Sequence, residues 1–511
     1  MDRHIRGGRV DRPAAPLVYL IARHRLFFLL LLAGSVVRIV AMLAYRPALW
    51  FNDAFEYVSV ALQRSPYPIR PNGYSFFLQA LQPAHSFALV VGLQHLMGLG
   101  IATIIYATAC RLGLPAWAGC LVSLPILLDG FWIQLEHTPL SDTLFTLLLV
   151  VATSLALRRT RPGAGTCLAI GLVLAIAMLV RPAALPMLAL MGLYLLTRRV
   201  GWRPLAGFVL ALVVPLAGYG LWFKAAHGNL ALTNSSGIFL YGRVAGFADC
   251  RVIHPATELA PLCPYQPGNG LSAPAWIWHS TSPLYRVPGP LFSASKDRLA
   301  AHFALLAIVA QPGDYARAVG RDTLHAFRWS RGPYPNSFTS TGETLRAGPW
   351  PVSNVPIAGL RGTALTNLDR YAEGDPRTRS AQPFARWLVA YQRAVHLPGT
   401  VLALLLLLGA AGVLPRSRAG EPELRSGLAL VELAALSLVF FPILTVQLDY
   451  RYVMPSYPFA ALAAAIGATR LIHAIGSSPS LAGRGTREVD GTEDLRSPAS
   501  LATAETAGAG P

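Results

Sequence analysis

Charge is what this 511-residue sequence has least of. Only 13% of its residues are charged, against about 25% in an ordinary soluble domain. Hydrophobic residues make up 53%, and the mean hydropathy is +0.45. A soluble chain could not cover that much apolar surface. The balance excludes a cytosolic enzyme, a disordered protein and a DNA-binding module, and implies an integral membrane protein with many spans. Lysine is nearly absent: Lys224 and Lys296 are two of 43 basic residues, which leaves 41 arginines. Acids number 25, for a net charge of +18. In a soluble chain such a surplus would suggest nucleic acid. Here the arginines sit in short runs between apolar segments, the pattern of positive-inside topology, and no nucleic-acid partner is expected. Internal repeats are absent, as are paired broken spans, which counts against a secondary transporter.

Ten apolar segments approach the ~20 residues needed to cross a hydrocarbon core: 26–45, 85–109, 113–132, 139–157, 165–180, 183–197, 204–223, 397–414, 427–446 and 453–473. Arg3, Arg6, Arg9, Arg12, Arg23 and Arg25 precede the first. Further runs follow the second, fourth, sixth and eighth: Arg111; Arg158, Arg159 and Arg161; Arg198, Arg199 and Arg203; Arg416, Arg418 and Arg425. All fall on one side if both termini are cytoplasmic. The expected divisions are a basic cytoplasmic segment 1–25 and a membrane domain 26–223 with an outer loop 46–84. An exoplasmic subdomain 224–396, a second membrane portion 397–474 and a disordered cytoplasmic tail 475–511 follow. The long outer segment is too long for a structureless loop. Its Cys250 and Cys263 lie in a compartment that permits disulfides, and they are expected to pair, for ~3 kcal/mol. Cys110, Cys120 and Cys167 lie in or near spans.

Ionisable residues at the bilayer boundary are costly and therefore informative. After the first span comes Trp50-Phe51-Asn52-Asp53-Ala54-Phe55-Glu56-Tyr57. On a helix, Asp53 and Glu56 share a face with Tyr57 beside them. They suit a general base at the head of a cavity, or capping of a first turn; the two readings stay open. Glu136, His137 and Asp142 crowd the short outer loop before the fourth span. They suit a divalent cation such as Mg or Mn, or an N-cap through Ser141 or Asp142. Arg451 in Asp449-Tyr450-Arg451-Tyr452 lies on the outer side, against the charge rule, as does Arg181. Phosphate would give either a purpose; an ion pair of Arg451 with Asp449 is the alternative. Arg38 lies within the first span and either snorkels or faces a cavity. Glu432 in the ninth is the residue a transporter would use.

Taken in order, these elements resemble the polyprenyl-phosphate-sugar-dependent glycosyltransferases of GT-C fold, the superfamily of protein O-mannosyltransferases and the lipid A aminoarabinose transferase. The matching features are Asp53 with Tyr57, Pro71-Asn72-Gly73-Tyr74, Ser141-Asp142, Arg181-Pro182 and Arg451-Tyr452-Val453-Met454-Pro455, across roughly residues 20 to 475. Position 54 is alanine where the family often has a second acid.

The resemblance implies an all-α multi-span bundle in the plasma (inner) membrane with an exoplasmic subdomain and an active site on the outer side. It implies a polyprenyl-phosphate sugar donor, membrane lipids around it, and a glycan, lipid or protein acceptor. Transfer would proceed by one inverting displacement. Asp53, Glu56 and Asp142 are the expected catalytic residues. Tyr57, Tyr74, Arg181, Arg451, Tyr452 and Trp50 are expected to bind substrate, and Glu136 and His137 a metal ion. A transporter or flippase, or a non-catalytic envelope scaffold, are the alternatives.

Overall fold

A computed structural model describes residues 24–476, except 266, 267, 269, 349, 351, 353 and 415–421. The basic segment and tail expected at the ends lie almost wholly outside the described residues. Among the described residues helix dominates, and the strands are a two-residue antiparallel pair, Tyr45–Arg46 with Arg379–Ser380. All ten expected spans coincide with helices: α1 (Arg25–Ala44), α4 (Phe87–Arg111), α5 (Ala116–Leu128) continued by α6 (Gly130–Glu136), α7 (Asp142–Leu157), α8 (Ala164–Val180), α9 (Leu185–Thr197), α10 (Trp202–His227), α16 (Gly399–Val413), α17 (Pro422–Thr445) and α19 (Tyr457–Gly476). Two outer-loop helices, α2 (Asn52–Gln63) and α3 (Gly73–Leu81), lie between α1 and α4. The outer segment supplies α11 (Ser236–Ala245), α12 (Ala294–Ala310), α13 (Pro312–Ala326), α14 (Ser337–Gly342) and α15 (Phe384–Ala394), and α18 (Tyr450–Val453) precedes α19.

Among the described residues four helices are long and apolar enough to cross a membrane alone, or up to six spans if each of two bent pairs, α5 with α6 and α15 with α16, counts as one. Shorter apolar helices, among them α7 and α8 at 16 and 17 residues, lie near the ~17-residue lower limit. On α1, Leu29, Leu32, Val36 and Ile39 are at least half exposed. They recur every three to four residues and form a stripe that lipid must cover. This is a multi-pass membrane protein.

The break between α5 and α6 bends the chain by 56° and has an identifiable cause. Asp129 leaves the helical region, and its Oδ1 accepts hydrogen bonds from the Phe131 and Trp132 amides at 2.8 and 3.0 Å, capping α6. The α5 carbonyls of Ile126 and Leu127 are met instead by Arg38 of α1, at 2.8 and 2.9 Å. That guanidinium also forks onto Glu136, with Nε to Oε2 and Nη2 to Oε1 both at 2.7 Å. Arg38 is therefore fully buried and neither snorkels nor reaches the outer site.

There are two hydrophobic cores. One joins the membrane helices to α2 and α3. The other lies in the outer segment, around Ile238 and Tyr241 of α11 and Phe303 of α12, and takes in Val60, Tyr67 and Ile69 from the outer loop. Cys250 and Cys263 form a disulfide at its edge. Gly73 is where α3 meets α8: a side chain there would put its Cβ 2.5 Å from the Leu179 carbonyl. Only glycine permits this approach, which brings the outer loop beside Arg181.

Candidate active site

The site forms where the first turn of α2 meets the start of α7, the end of α8 and α18. Phe51 is extended and α2 begins at Asn52, so Asp53 falls in its first turn and Glu56 one turn on. Both carboxylates face Arg70 of the outer loop, whose Nη2 is 3.1 Å from Asp53 Oδ1 and 2.9 Å from Glu56 Oε2. On its other side, Asp53 Oδ2 is 2.5 Å from Arg451 Nη2. Arg451 comes from α18, where Asp449 caps the helix through the Arg451 amide at 3.1 Å. The same carboxylate holds Arg451 Nε at 3.2 Å. Arg451 also lies over the rings of Phe51 and Tyr452, at 4.6 and 5.0 Å. The expected Asp449–Arg451 pair and the Asp53–Arg451 pair thus exist together.

Arg181 sits beyond Tyr452, 5.0 Å from that ring, and pairs with Asp142 Oδ1. Asp142 Oδ2 is buried without a hydrogen bond. Ser141 does not cap α7; its Oγ is 2.8 Å from the Tyr57 hydroxyl. Tyr57 in turn lies under Arg70, at 5.2 Å. The structure therefore brings Asp53, Glu56, Tyr57, Asp142, Arg181, Arg451 and Tyr452 together from four distant stretches of chain.

The electrostatics separate the two neighbouring acids. Burial alone would raise the Asp53 carboxyl, but Arg451 and Arg70 outweigh it and hold Asp53 well below the usual carboxylate range. Burial pushes Glu56 up to about 7; Arg70 opposes this and the Asp53 charge adds to it. Asp53 is thus fixed as an anion, while Glu56 is poised near neutrality.

Three expectations change. Trp50 is not at the site surface: it is 2% exposed, donates through Nε1 to the Pro376 carbonyl at 2.8 Å, and packs against Phe55 and Phe87. Tyr74 is fully buried and donates to Gln94, supporting Tyr57 edge-on from beneath. Glu136 and His137 face inward. Glu136 accepts from Arg38, from Trp132 Nε1 at 2.6 Å and contacts His95 Nδ1 at 2.7 Å. His137 Nε2 donates to the Tyr45 carbonyl at 2.7 Å, and its Nδ1 meets His95 Nε2 at 3.0 Å. Both side chains are committed to holding the loop, and Asp142 points away to Arg181. Among the described residues no group of three or more His, Cys, Asp or Glu is arranged to hold a metal ion.

Sequence reasoning missed Arg70, Arg331 and Glu343. Arg70 was detectable, since it breaks the same charge rule as Arg451. Arg331, after α13, lies 3.9 Å over the Phe131 ring and donates to the Tyr457 hydroxyl at 3.0 Å. Glu343, at the end of α14, lies 3.7 Å from Arg451 Nε. Burial, with Asp449 adding to it, pushes the Glu343 carboxyl well above its ordinary value. The outer segment holds many arginines, and nothing in the sequence marks these two.

No family profile matches the chain, and no curated protein matches it. Among solved structures, the chain is similar to the apo oligosaccharyltransferase of Archaeoglobus fulgidus (TM-score 0.37, 11% identity, over 85% of this chain). It spans 50% of that protein's length. It is also similar to ArnT from Cupriavidus metallidurans bound to undecaprenyl phosphate (TM-score 0.33, 14% identity, over 89% of this chain and 78% of that one).

Proposed function

We propose that the protein is a GT-C membrane glycosyltransferase. It moves a sugar from a polyprenyl-phosphate donor to an acceptor on the exoplasmic face, with inversion. The observation that carries this reading is the meeting of Arg70, Arg181 and Arg451 with Asp53, Glu56 and Asp142 at one end of an apolar bundle. Desolvated guanidiniums gathered at one place suit a phosphate, and a carboxylate poised near neutral pH suits general-base work.

In this reading Glu56 takes the proton of the acceptor hydroxyl as its oxygen attacks the anomeric carbon. The bond from that carbon to the lipid phosphate oxygen breaks, and the phosphate leaves with the electron pair. Arg181 and Arg451 stabilise the charge that develops on it, through preorganised hydrogen bonds in a site with little water. Asp53 holds Arg70 and Arg451 in place as a permanent anion. A phosphate leaving group needs no second carboxylic acid to protonate it, unlike the leaving group of a glycosidase. One displacement inverts the sugar.

The test is made in a strain lacking the protein, complemented at equal levels by wild type or by Asp53→Asn or Glu56→Gln. Lipid-linked sugars and surface glycoconjugates are compared by mass spectrometry. The reading expects one lipid-linked sugar to accumulate with both variants while one glycoconjugate loses a residue. Profiles identical to wild type would favour a transporter or scaffold.

A further inference from the structure

A small cavity lies on the side of Arg451 away from Arg181. It is lined by Arg331, Arg451, Glu343, Gln134, Thr138 and Phe131, among others, but by none of Arg70, Asp142, Arg181 or Tyr452. Its volume of about 20 Å³ holds one or two water-sized groups, so an oxyanion would enter it with one or two oxygens from the open side. Arg331 is the distinctive member. Its charge rests between the Phe131 and Tyr450 rings, 3.9 and 5.4 Å away. Among the described residues no carboxylate lies within 4.0 Å of it, and Asp129 and Glu343 act on it only from farther away, whereas Arg181 pairs closely with one carboxylate, Arg70 with two and Arg451 with three. A half-buried cation without a close counter-ion is expensive. Glu343 Oε1 is also buried there without a hydrogen bond. The cavity thus presents two guanidiniums and one unsatisfied carboxyl oxygen.

We propose that Arg331, with Arg451 and Glu343, forms a second oxyanion subsite, which takes a phosphate or carboxylate group carried by the acceptor or by the transferred sugar. This rests on the transferase reading, in which the donor's lipid phosphate occupies the Arg181 side. Arg451 is shared by the two positions. Glu343 contributes as a protonated carboxyl, donating a hydrogen bond to the anion and not repelling it. The acceptor or the sugar is therefore acidic. The fork of Arg331 favours a planar or tetrahedral oxyanion over a neutral hydroxyl.

Purified full-length protein in nanodiscs is titrated with inorganic phosphate, with and without saturating polyprenyl phosphate, and binding is followed by thermal unfolding. Wild type should bind inorganic phosphate even with polyprenyl phosphate bound. Arg331→Gln should weaken inorganic phosphate at least about tenfold and leave polyprenyl phosphate unchanged; Arg181→Gln should do the reverse. Glu343→Gln should keep phosphate binding and Glu343→Ala should weaken it. If Arg331→Gln does not fold, Arg331→Lys is read instead and should weaken binding severalfold, because an ammonium lacks the fork.

The proposal is overturned if Arg331→Gln binds phosphate as wild type does, or if wild type binds none. It is also overturned if polyprenyl phosphate excludes inorganic phosphate, since Arg331 then serves the donor. Failure of wild type to bind polyprenyl phosphate would instead remove the transferase reading, and the inorganic phosphate titration would still decide the role of Arg331. Phosphorylated and uronic acid sugars, added as competitors, distinguish a phosphate from a carboxylate at the subsite.

Discussion

Replacing Glu56 by glutamine should make the protein more stable and less active at once. Burial raises the Glu56 carboxyl from 4.5 to about 7. At about 1.36 kcal/mol per pH unit, its ionisation in the folded state costs on the order of 3 kcal/mol. The folded protein holds this proton more tightly than the unfolded chain does. The Glu56 contribution to stability is therefore greatest below about pH 4.5, declines between there and pH 7, and stays lower above it. Glutamine keeps the shape without the charge, so the variant lacks this decline. An unfolding entropy of about 2.1 cal/mol/K per residue, over 511 residues, gives ~1.1 kcal/mol/K. The variant should then melt ~3 °C above wild type at pH 8 and level with it near pH 4.5. Transfer should fall by ~10²–10⁴, the worth of a general base. Thermal unfolding in nanodiscs at several pH values, paired with turnover at pH 8, reads both effects. Equal melting at pH 8 would refute the desolvated carboxyl. Turnover within about tenfold of wild type would refute its role as base.

Other outcomes follow from the same geometry. Wild-type turnover should rise with pH through an apparent ionisation near 7, the pH at which Glu56 loses its proton, and a pH–rate profile checks this. Arg451→Lys should lose much more than its retained charge suggests, because one ammonium cannot span Asp53 and Asp449 together; kcat measured beside donor affinity separates the two effects. Removing the Cys250–Cys263 disulfide with paired serines should cost about 3 kcal/mol for a 13-residue separation, read as a lower melting temperature with donor binding intact. Trp50→Phe should lower stability through the lost Pro376 bond and smaller ring while leaving donor affinity near wild type, as measured by titration.

The helical architecture was largely legible because lipid imposes a simple rule. Without water, a spanning backbone must satisfy itself as helix, so apolar length predicts helices well. Every expected span is helical. The Asp129 break was not expected, because its cause is a side chain capping one helix while Arg38, remote in sequence, caps the other. The site was legible where a charge violates a regional rule. Arg181 and Arg451 stood out as basic residues at span ends on the side where short loops carry few. Asp53, Glu56 and Asp142 stood out as acids at the membrane edge. Roles were harder to read. Trp50 adjoins Asp53 in sequence, but the first turn of α2 carries the acid outward while Trp50 turns into the core against Phe87. Glu136 and His137 have metal-ligand chemistry, but Arg38, Trp132, His95 and the Tyr45 carbonyl use up their polar atoms. The inverse held for Arg331 and Glu343, which are ordinary outer-segment residues until the fold carries them to Arg451.

Transfer from a lipid phosphate at the Asp53–Arg451 end of the bundle can be followed in purified protein. The most direct measurement incubates purified protein in nanodiscs with lipid-linked sugars extracted from the deletion strain, together with extracted envelope acceptors. Free polyprenyl phosphate and the anomeric configuration of the product are then read by mass spectrometry and NMR. Wild type should release polyprenyl phosphate in step with one new glycosidic bond of inverted configuration, and Glu56→Gln should release it at least ~10²-fold more slowly. A retained configuration, or release by Glu56→Gln at the wild-type rate, would contradict this mechanism.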